Sequence, residues 1–311
     1  MLDIKDFNAV FPPTARFPYI KSYNDEFVST RRTSPEKKLF FDRLSGSTKK
    51  YPYPPHDRQQ LQALHHSIVT SKRPLHEKQE LIFYLLLDFE ASGDSLAETF
   101  AGQCHLATRS LIRGLRELDH KHYKPALEYL MQRIASTRLY ADAILHALLT
   151  QSGTYTPTLP SAFFNAAAPP LATDDLLTRW VEYLATTSVA SAYFFLRTTQ
   201  PAHKRRQLFE KLIAFVLSAR RPVKEEMGME LVGLPLEKEE EEWLEVFLVE
   251  GRGRELPAAR ETVLVRRVAS GRLSEALGDK TARQGSRRWM EISEALERGL
   301  GPRKNVGVFE M

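Results

Sequence analysis

Two short apolar runs on either side of a polar turn, between Leu111 and Leu130, constrain the fold of this chain more than any other feature. In the first run, Leu111, Leu115 and Leu118 recur at i, i+4 and i+7, which places them on one face of a helix. The second run also repeats with helical spacing, and its Pro125 falls in the first turn, where a missing backbone N–H is harmless. Because the polar turn is short, the pattern predicts two antiparallel helices that share an apolar seam.

Helical periodicity continues along most of the chain, and no segment shows the sustained alternation that is typical of a strand. Residues 81–89 are apolar around nearly the whole helix circumference, which predicts a central helix buried on all sides. Ser34 followed by Pro35 predicts a helix start, whereas the glycines and prolines of residues 222–236 predict a loop or partial turn. We therefore predict an all-α fold, an irregular α-solenoid of stacked helical hairpins without a repeat of fixed period.

Changes in composition divide the chain into three regions. Residues 1–33 are rich in aromatics and interrupted by prolines, so we expect a flexible, mostly irregular segment with one short helix. This segment packs either along the body or against a partner, and packing along the body is favoured. Residues 34–251 are the α-helical domain. Residues 252–311 are a basic tail of short helices separated by glycines, which we expect to be loosely attached and to order on a partner.

The net charge of +5 lies entirely in the tail. Residues 252–311 hold 13 Lys or Arg and 8 Asp or Glu, so residues 1–251 are neutral and only the tail is expected to attract phosphates. Every apolar run is shorter than about 18 residues, so we expect no transmembrane helix. The single Cys104 allows no internal disulfide, which favours a reducing compartment such as the nucleus or the cytosol.

The sequence contains no Gly-rich phosphate loop and no nucleophile elbow. The turn residues Asp119, His120 and His122 are spaced too loosely for a metal site, so we predict a capping role for Asp119 and solvent-facing histidines. Cys104 is interpreted as a buried small residue rather than a nucleophile. Asp88 and the acidic run 237–242 are interpreted as solvated charges on helix surfaces. We predict no enzyme, and therefore no catalytic residue, cofactor or metal.

The tripeptide Arg252-Gly253-Arg254 is similar to part of an AT-hook, in which a glycine between two arginines lies in the minor groove of A·T-rich DNA. The motif expects a proline after the second arginine, whereas Glu255 stands here. Further basic pairs at 266–267 and 287–288 could contact phosphates. These residues keep open an alternative function, that of a chromatin, DNA or RNA adaptor acting through the tail.

Several short segments, spread over residues 35–250, share their order and spacing with one known family. They are Phe40-Phe41-Asp42-Arg43-Leu44, Leu61 to His65, Lys78-Gln79 with Tyr84 to Asp88, Leu118-Asp119-His120, Ala126 to Leu130, Ala192 to Arg197, Arg206 to Glu210, and Leu231 to Leu236 before Trp243. Together they resemble the helical domain of the ELYS family of nucleoporins. Animal members add an N-terminal β-propeller and a long tail with AT-hooks; we expect the short fungal form, in which the helical domain stands nearly alone.

The resemblance implies a non-enzymatic scaffold of the nuclear pore complex, located in the nucleus at the nuclear envelope. The implied partners are nucleoporins of the Y-shaped outer-ring subcomplex, namely its long-arm scaffold and the β-propeller subunit associated with it. The implied roles are pore assembly and the transport of mRNA and protein. For contacts with neighbours we predict aromatic or arginine anchors in the two flanking regions, Phe11, Phe17, Arg288 and Trp289.

Overall fold

The computed structural model describes residues 3–46, 53–90, 96–151, 158–219 and 223–278, together with positions 291, 294, 295 and 298. Within these residues the chain forms 17 α-helices and no strand, which confirms the all-α prediction. Contacts divide the chain into two compact units, residues 1–176 and 177–311. None of the described helices is long and apolar enough to cross a membrane.

The helices that begin in the first unit are α1 (Phe7–Val10), α2 (Lys21–Thr33), α3 (Phe40–Ser45), α4 (Arg58–Thr70), α5 (Leu75–Glu90), α6 (Leu96–Ala101), α7 (Leu106–Asp119), α8 (Tyr123–Gln132), α9 (Ala141–Gln151), α10 (Leu159–Ala167) and α11 (Asp174–Thr187). The second unit continues with α12 (Val189–Thr199), α13 (Ala202–Ser218), α14 (Val223–Val232), α15 (Lys238–Val249), α16 (Ala259–Ala269) and α17 (Leu273–Gly278). Short 3₁₀ helices occur at Pro35–Lys37, Ile134–Tyr140 and Arg252–Glu255.

Helix α5 is the centre of the first unit, as its apolar pattern predicts. Every residue from Leu81 to Phe89 is buried, and α4, α6 and α7 pack against the helix. The predicted hairpin is formed by α7 and α8, with Lys121 at φ 61° in the turn between them. Gly114 allows these two helices to approach closely, because a Cβ at this position would lie 2.5 Å from Leu130 Cγ.

The aromatic N-terminal segment is more helical than its sequence predicts. It contains two helices, α1 and the 13-residue α2, because its prolines lie between the helices and not inside them. Phe11 and Phe27 have no exposed surface. The segment therefore packs along the body, which confirms the favoured alternative for the part that the structure describes.

The helix start predicted at Ser34 is wrong. Helix α3 begins at Phe40, and Ser34 instead ends α2, where its N–H (3.0 Å) and its Oγ (2.8 Å) both donate to the carbonyl oxygen of Thr30. Glu36 and Lys37 then adopt positive φ values of 56° and 55°, a region that L-residues rarely occupy and that cannot continue a helix.

The second unit contains a helix where a loop is predicted. Helix α14 covers residues 223–232 although it contains Gly228. A Cβ at this position would meet nothing within 4 Å, so packing does not require the glycine. The tail is also less loose than predicted in its described part. Helix α16 packs against α14, α15 and α17, and Leu264 and Ala276 are buried against each other. The boundary placed at residue 251 remains a prediction.

Candidate functional site

A fully buried carboxylate, that of Asp88 on α5, is the polar centre of the first unit. Tyr19 Oη and Tyr53 Oη donate to its Oδ2 at 2.8 Å and 2.7 Å. Tyr23 Oη and Arg116 Nε donate to its Oδ1 at 2.8 Å and 3.2 Å. We call Asp88, Tyr19, Tyr23, Tyr53, Arg116 and His120 the Asp88 centre. The interpretation of Asp88 as a surface ion is therefore wrong, because a charge within an all-round apolar helix has no access to water and must be paired.

The directions in which the pKa values of the Asp88 centre shift agree with its pattern of donors and acceptor. Burial by itself would raise the pKa of Asp88, but His120 and the Arg116 guanidinium outweigh it and lower the pKa below its usual range. Burial and the negative charge of Asp88 raise the pKa of Tyr19, Tyr23 and Tyr53 above the usual range. All three hydroxyls therefore keep their protons and act as donors.

His120 completes the centre through Tyr23. Its Nε2 lies 3.0 Å from Tyr23 Oη and 3.6 Å from Asp88 Oδ1. Because the one hydroxyl proton of Tyr23 is donated to Asp88, the histidine must supply the hydrogen of the contact with Tyr23. His120 is buried, so its predicted solvent-facing position is wrong, whereas the His122 side chain is 59% exposed as predicted.

Asp119, the neighbour of His120, has the predicted capping role, but for a different helix. Its Oδ1 accepts the N–H of Phe40 at 3.0 Å, and its Oδ2 accepts the N–H of Phe41 at 3.2 Å and the hydroxyl of Tyr84 at 2.7 Å. It thus satisfies the free N–H groups at the start of α3. Burial raises the pKa of Asp119 to about 7, although these hydrogen bonds act in the opposite direction.

The Asp88 centre attaches the N-terminal segment to the helices that follow it. Two side chains of α4 hold the part of the segment nearer the N-terminus. Arg58 donates to the carbonyl of Phe11 at 2.5 Å, and His65 Nε2 lies 2.9 Å from the carbonyl of Ile4. The ring of Phe11 packs against Phe89 with the centroids 5.3 Å apart. Phe11, a predicted partner contact, therefore has no exposed surface through which to meet a neighbour.

A surface groove lies beside this centre. It is a cavity of about 360 Å³ lined by Arg16, Phe17, Pro18, Ile20, Ser22, Tyr23 and Glu26. Ile20 is 59% exposed, and Phe17, a predicted anchor, is half-buried. The lining of the groove thus includes three apolar side chains, Phe17, Pro18 and Ile20, together with one basic and one acidic side chain.

The predicted DNA-contacting tripeptide lies in a 3₁₀ helix of the second unit. Gly253 is buried, and a Cβ there would lie 2.5 Å from Cε1 of the Phe247 ring. Packing therefore explains the glycine without any contact to DNA. Arg252 and Arg254 are exposed, and Arg254 lies 3.7 Å from Glu255. The other predicted anchors, Arg288 and Trp289, lie outside the described residues.

Arg266 is the polar centre of the second unit. Its guanidinium donates to the carbonyls of Val232 and Leu234 and pairs with Glu241 through Nε at 2.9 Å. Arg272 Nη2 lies 3.3 Å from the same carboxylate. We call these five residues the Arg266 centre. The acidic run 237–242 is therefore not purely solvated, in contrast to the prediction, because its Glu241 binds Arg266.

Cys104 is buried, and burial raises the pKa of its thiol to about 11. This confirms its interpretation as a small core residue. Among the described residues, no group of three or more His, Cys, Asp or Glu side chains could hold a metal ion. The buried polar groups bind one another and join helices, which is the property of a helical structural protein.

A comparison with sequence families shows which family of helical structural proteins this chain belongs to. The chain belongs to the ELYS family, described as nuclear pore complex assembly, whose sequence model matches residues 38–251. The match covers more than half of the chain and begins just after the segment that the Asp88 centre attaches. A comparison with curated proteins finds no significant match.

Proposed function

We propose that the chain is a structural subunit of the nuclear pore complex that docks on the Y-shaped outer-ring subcomplex. The observation that carries the proposal is the family match over residues 38–251. Through this docking the chain supports pore assembly and the transport of mRNA and protein at the nuclear envelope. The long-arm scaffold and its associated β-propeller subunit are the proposed partners. The stacking of hairpins into an α-solenoid remains part of this proposal.

The groove beside the Asp88 centre is the place we propose for this docking. Phe17, Pro18 and Ile20 offer apolar contact area, while Arg16 and Glu26 can fix the orientation of a nucleoporin segment. Because Tyr23 lines the groove and also donates to Asp88, the wall of the groove is held by the core. A firm wall of this kind reduces the entropy that binding costs.

The proposal is tested by capture of partners from a fungal nuclear extract with the tagged full-length chain, followed by mass spectrometry. We expect subunits of the Y-shaped subcomplex with the native chain. Ile20→Glu places a charge in the groove and should reduce their recovery at least tenfold. Val28→Glu is the matched control, since Val28, on the helix α2 that begins directly after Ile20, is 44% exposed but does not line the groove.

The two parts of the proposal fail separately. Equal recovery with Ile20→Glu and Val28→Glu would move the docking surface away from the groove and leave the pore assignment standing. Recovery of chromatin or RNA-binding proteins without any pore subunit would overturn the assignment itself.

The adaptor alternative has less support from the described part of the tail. Arg266, Arg267 and Arg272 each form ion pairs with Glu241 or Glu245 within the second unit. Such pairs must be broken before these guanidinium groups can neutralise phosphates. A salt titration of DNA binding by the full chain tests the alternative, which requires a steep decrease of affinity with salt.

A further inference from the structure

The turn that follows α2 carries a recognition pattern for protein kinases. Residues 31–37 read Arg-Arg-Thr-Ser-Pro-Glu-Lys. Proline-directed kinases select a serine that is followed directly by proline, and many of them prefer a basic residue at the third position after the serine. Ser34, Pro35 and Lys37 fulfil these three conditions.

This pattern occurs once in the 311 residues. Ser34-Pro35 is the only Ser-Pro dipeptide of the sequence. Thr156-Pro157 is the only Thr-Pro dipeptide, and the third position after its threonine is Leu159, which is not basic. Thr156-Pro157 is therefore an internal control that tests whether the kinase requires a basic residue at the third position.

The structure presents Ser34 on the surface in a turn that can be extended. Ser34 is half-buried and already has extended backbone angles, while Arg32, Thr33, Glu36 and Lys37 are exposed. Its Oγ makes one hydrogen bond, to the carbonyl of Thr30. The positive φ values of Glu36 and Lys37 are unfavourable for L-residues, so opening this turn into an extended strand relieves strain.

A phosphate at this position would act on the attachment of α2. Ser34 is the C-cap of the helix, where the free carbonyl groups give a partial negative charge that repels a phosphate. The new charge also lies one turn after Arg31, whose guanidinium binds Asp42 at 2.8 Å and the carbonyl of Tyr53 at 3.0 Å. A phosphate three residues away competes with Asp42 for this arginine.

The repulsion at the end of α2 and the competition for Arg31 both weaken the attachment of the residues that α2 contributes to the core. The helix carries Tyr23, which donates to Asp88, and Phe27, which is fully buried. Loss of the last turn of α2 and of the Arg31–Asp42 pair removes two of the restraints that hold this end of the helix.

We propose that Ser34 is a phosphorylation site for a proline-directed protein kinase, and that its modification loosens α2 from the Asp88 centre. The Oγ atom attacks the γ-phosphorus of ATP, the bond between that phosphorus and the bridging oxygen breaks, and ADP leaves. The hydroxyl proton passes to the catalytic base of the kinase. The product is a phosphoserine with about two negative charges at neutral pH.

Modification is tested on the purified full chain with a cyclin-dependent kinase, its cyclin and Mg-ATP, followed by mass spectrometric mapping. We expect one phosphate on Ser34 and at least tenfold less on Thr156. Ser34→Ala should abolish the modification, and Pro35→Ala and Lys37→Ala should slow it at least tenfold. Thr33→Ala is the matched control, because it removes the hydrogen bond from a neighbouring hydroxyl to the same Thr30 carbonyl (3.0 Å) and should leave the rate unchanged. Phosphate on other residues with none on Ser34 would overturn the site.

Loosening is tested by hydrogen exchange of the phosphorylated and the untreated chain. We expect amide exchange in α2 to become roughly tenfold faster, while α13 in the second unit stays unchanged. Kinase-treated Ser34→Ala controls for the incubation. Unchanged or slower exchange in α2 of a fully phosphorylated chain would show that the phosphate does not loosen the helix.

Discussion

The two units differ in how each accommodates a buried charge. In the first unit a buried acid, Asp88, collects hydroxyl and guanidinium donors from residues as distant in sequence as Tyr19 and Arg116. In the second unit a buried base, Arg266, binds backbone carbonyls at the end of α14 and in the turn after it, and a carboxylate on the next helix, α15. The acid therefore joins distant segments, whereas the base fixes a local corner.

Removal of the acid should have the largest effect. Asp88→Ala leaves the buried hydroxyls of Tyr19 and Tyr53 and the partly buried hydroxyl of Tyr23 without their acceptor. It also leaves Arg116 without its buried counter-charge, so we expect the free energy of unfolding to decrease by about 3–5 kcal/mol. Urea denaturation measures it. Asp25→Ala changes an exposed acid on α2 and should stay within about 0.5 kcal/mol of the native chain. A similar loss for both variants would contradict a special role for Asp88.

Removal of the base should cost less. Arg266→Met removes the donor to the carbonyls of Val232 and Leu234. The Leu234 carbonyl still accepts the N–H of Leu236 at 2.9 Å, and Arg272 still faces Glu241. We expect a decrease of about 2–4 kcal/mol in the same measurement. Arg254→Met is the control, since the Arg254 side chain is 63% exposed. If Arg266→Met destabilises more than Asp88→Ala, the local corner is the more important of the two.

Two glycines test packing in the two units. Gly114→Ala drives a methyl group into Leu130 in the α7–α8 hairpin, so we expect a loss of about 1–3 kcal/mol. Gly228→Ala in α14 meets no neighbour and removes a glycine from a helix, so we expect a gain of about 0.5–1 kcal/mol. Thermal unfolding of both variants gives the comparison, and a gain for Gly114→Ala would mean that the hairpin is less tightly packed than described.

Asp119 gives the most gradual effect, because it develops continuously with pH. Its pKa in the folded chain is about 7, above its ordinary value of 3.8, so the folded state binds the proton more tightly than the unfolded state does. The contribution of Asp119 to stability is therefore fully present below about pH 4 and is lost as the pH rises to 7, by at most about 1.4 kcal/mol per pH unit.

The difference in unfolding free energy between the native chain and Asp119→Asn isolates this group. We expect this difference to change between pH 4 and pH 7 and to be constant above pH 8. A difference that does not vary with pH would show that Asp119 does not titrate in this range.

Periodicity was sufficient to predict the helices but not the polar partners. The spacing of Leu111, Leu115 and Leu118 predicts a buried face, and all but Leu111, which is half-buried, are fully buried. Asp88 could have been assigned to the core, because it interrupts an otherwise apolar circumference. Its donors Tyr19 and Tyr23 could not, since a tyrosine far away in sequence gives no signal of which carboxylate it will meet. Ser34-Pro35 has the composition of a helix start, and only the tertiary contacts of α2 show that it ends one.

The long separation between Asp88 and its donors has a consequence for synthesis on the ribosome. Arg116 and His120 are translated after Asp88, so the charge cannot be compensated until they have left the exit tunnel. At about 5–20 residues per second, the interval between the appearance of α2 and that of His120 is on the order of ten seconds. During this interval the nascent Phe27 lacks the His120 ring against which it packs, and a molecular chaperone would meet it before the rest of its own fold does.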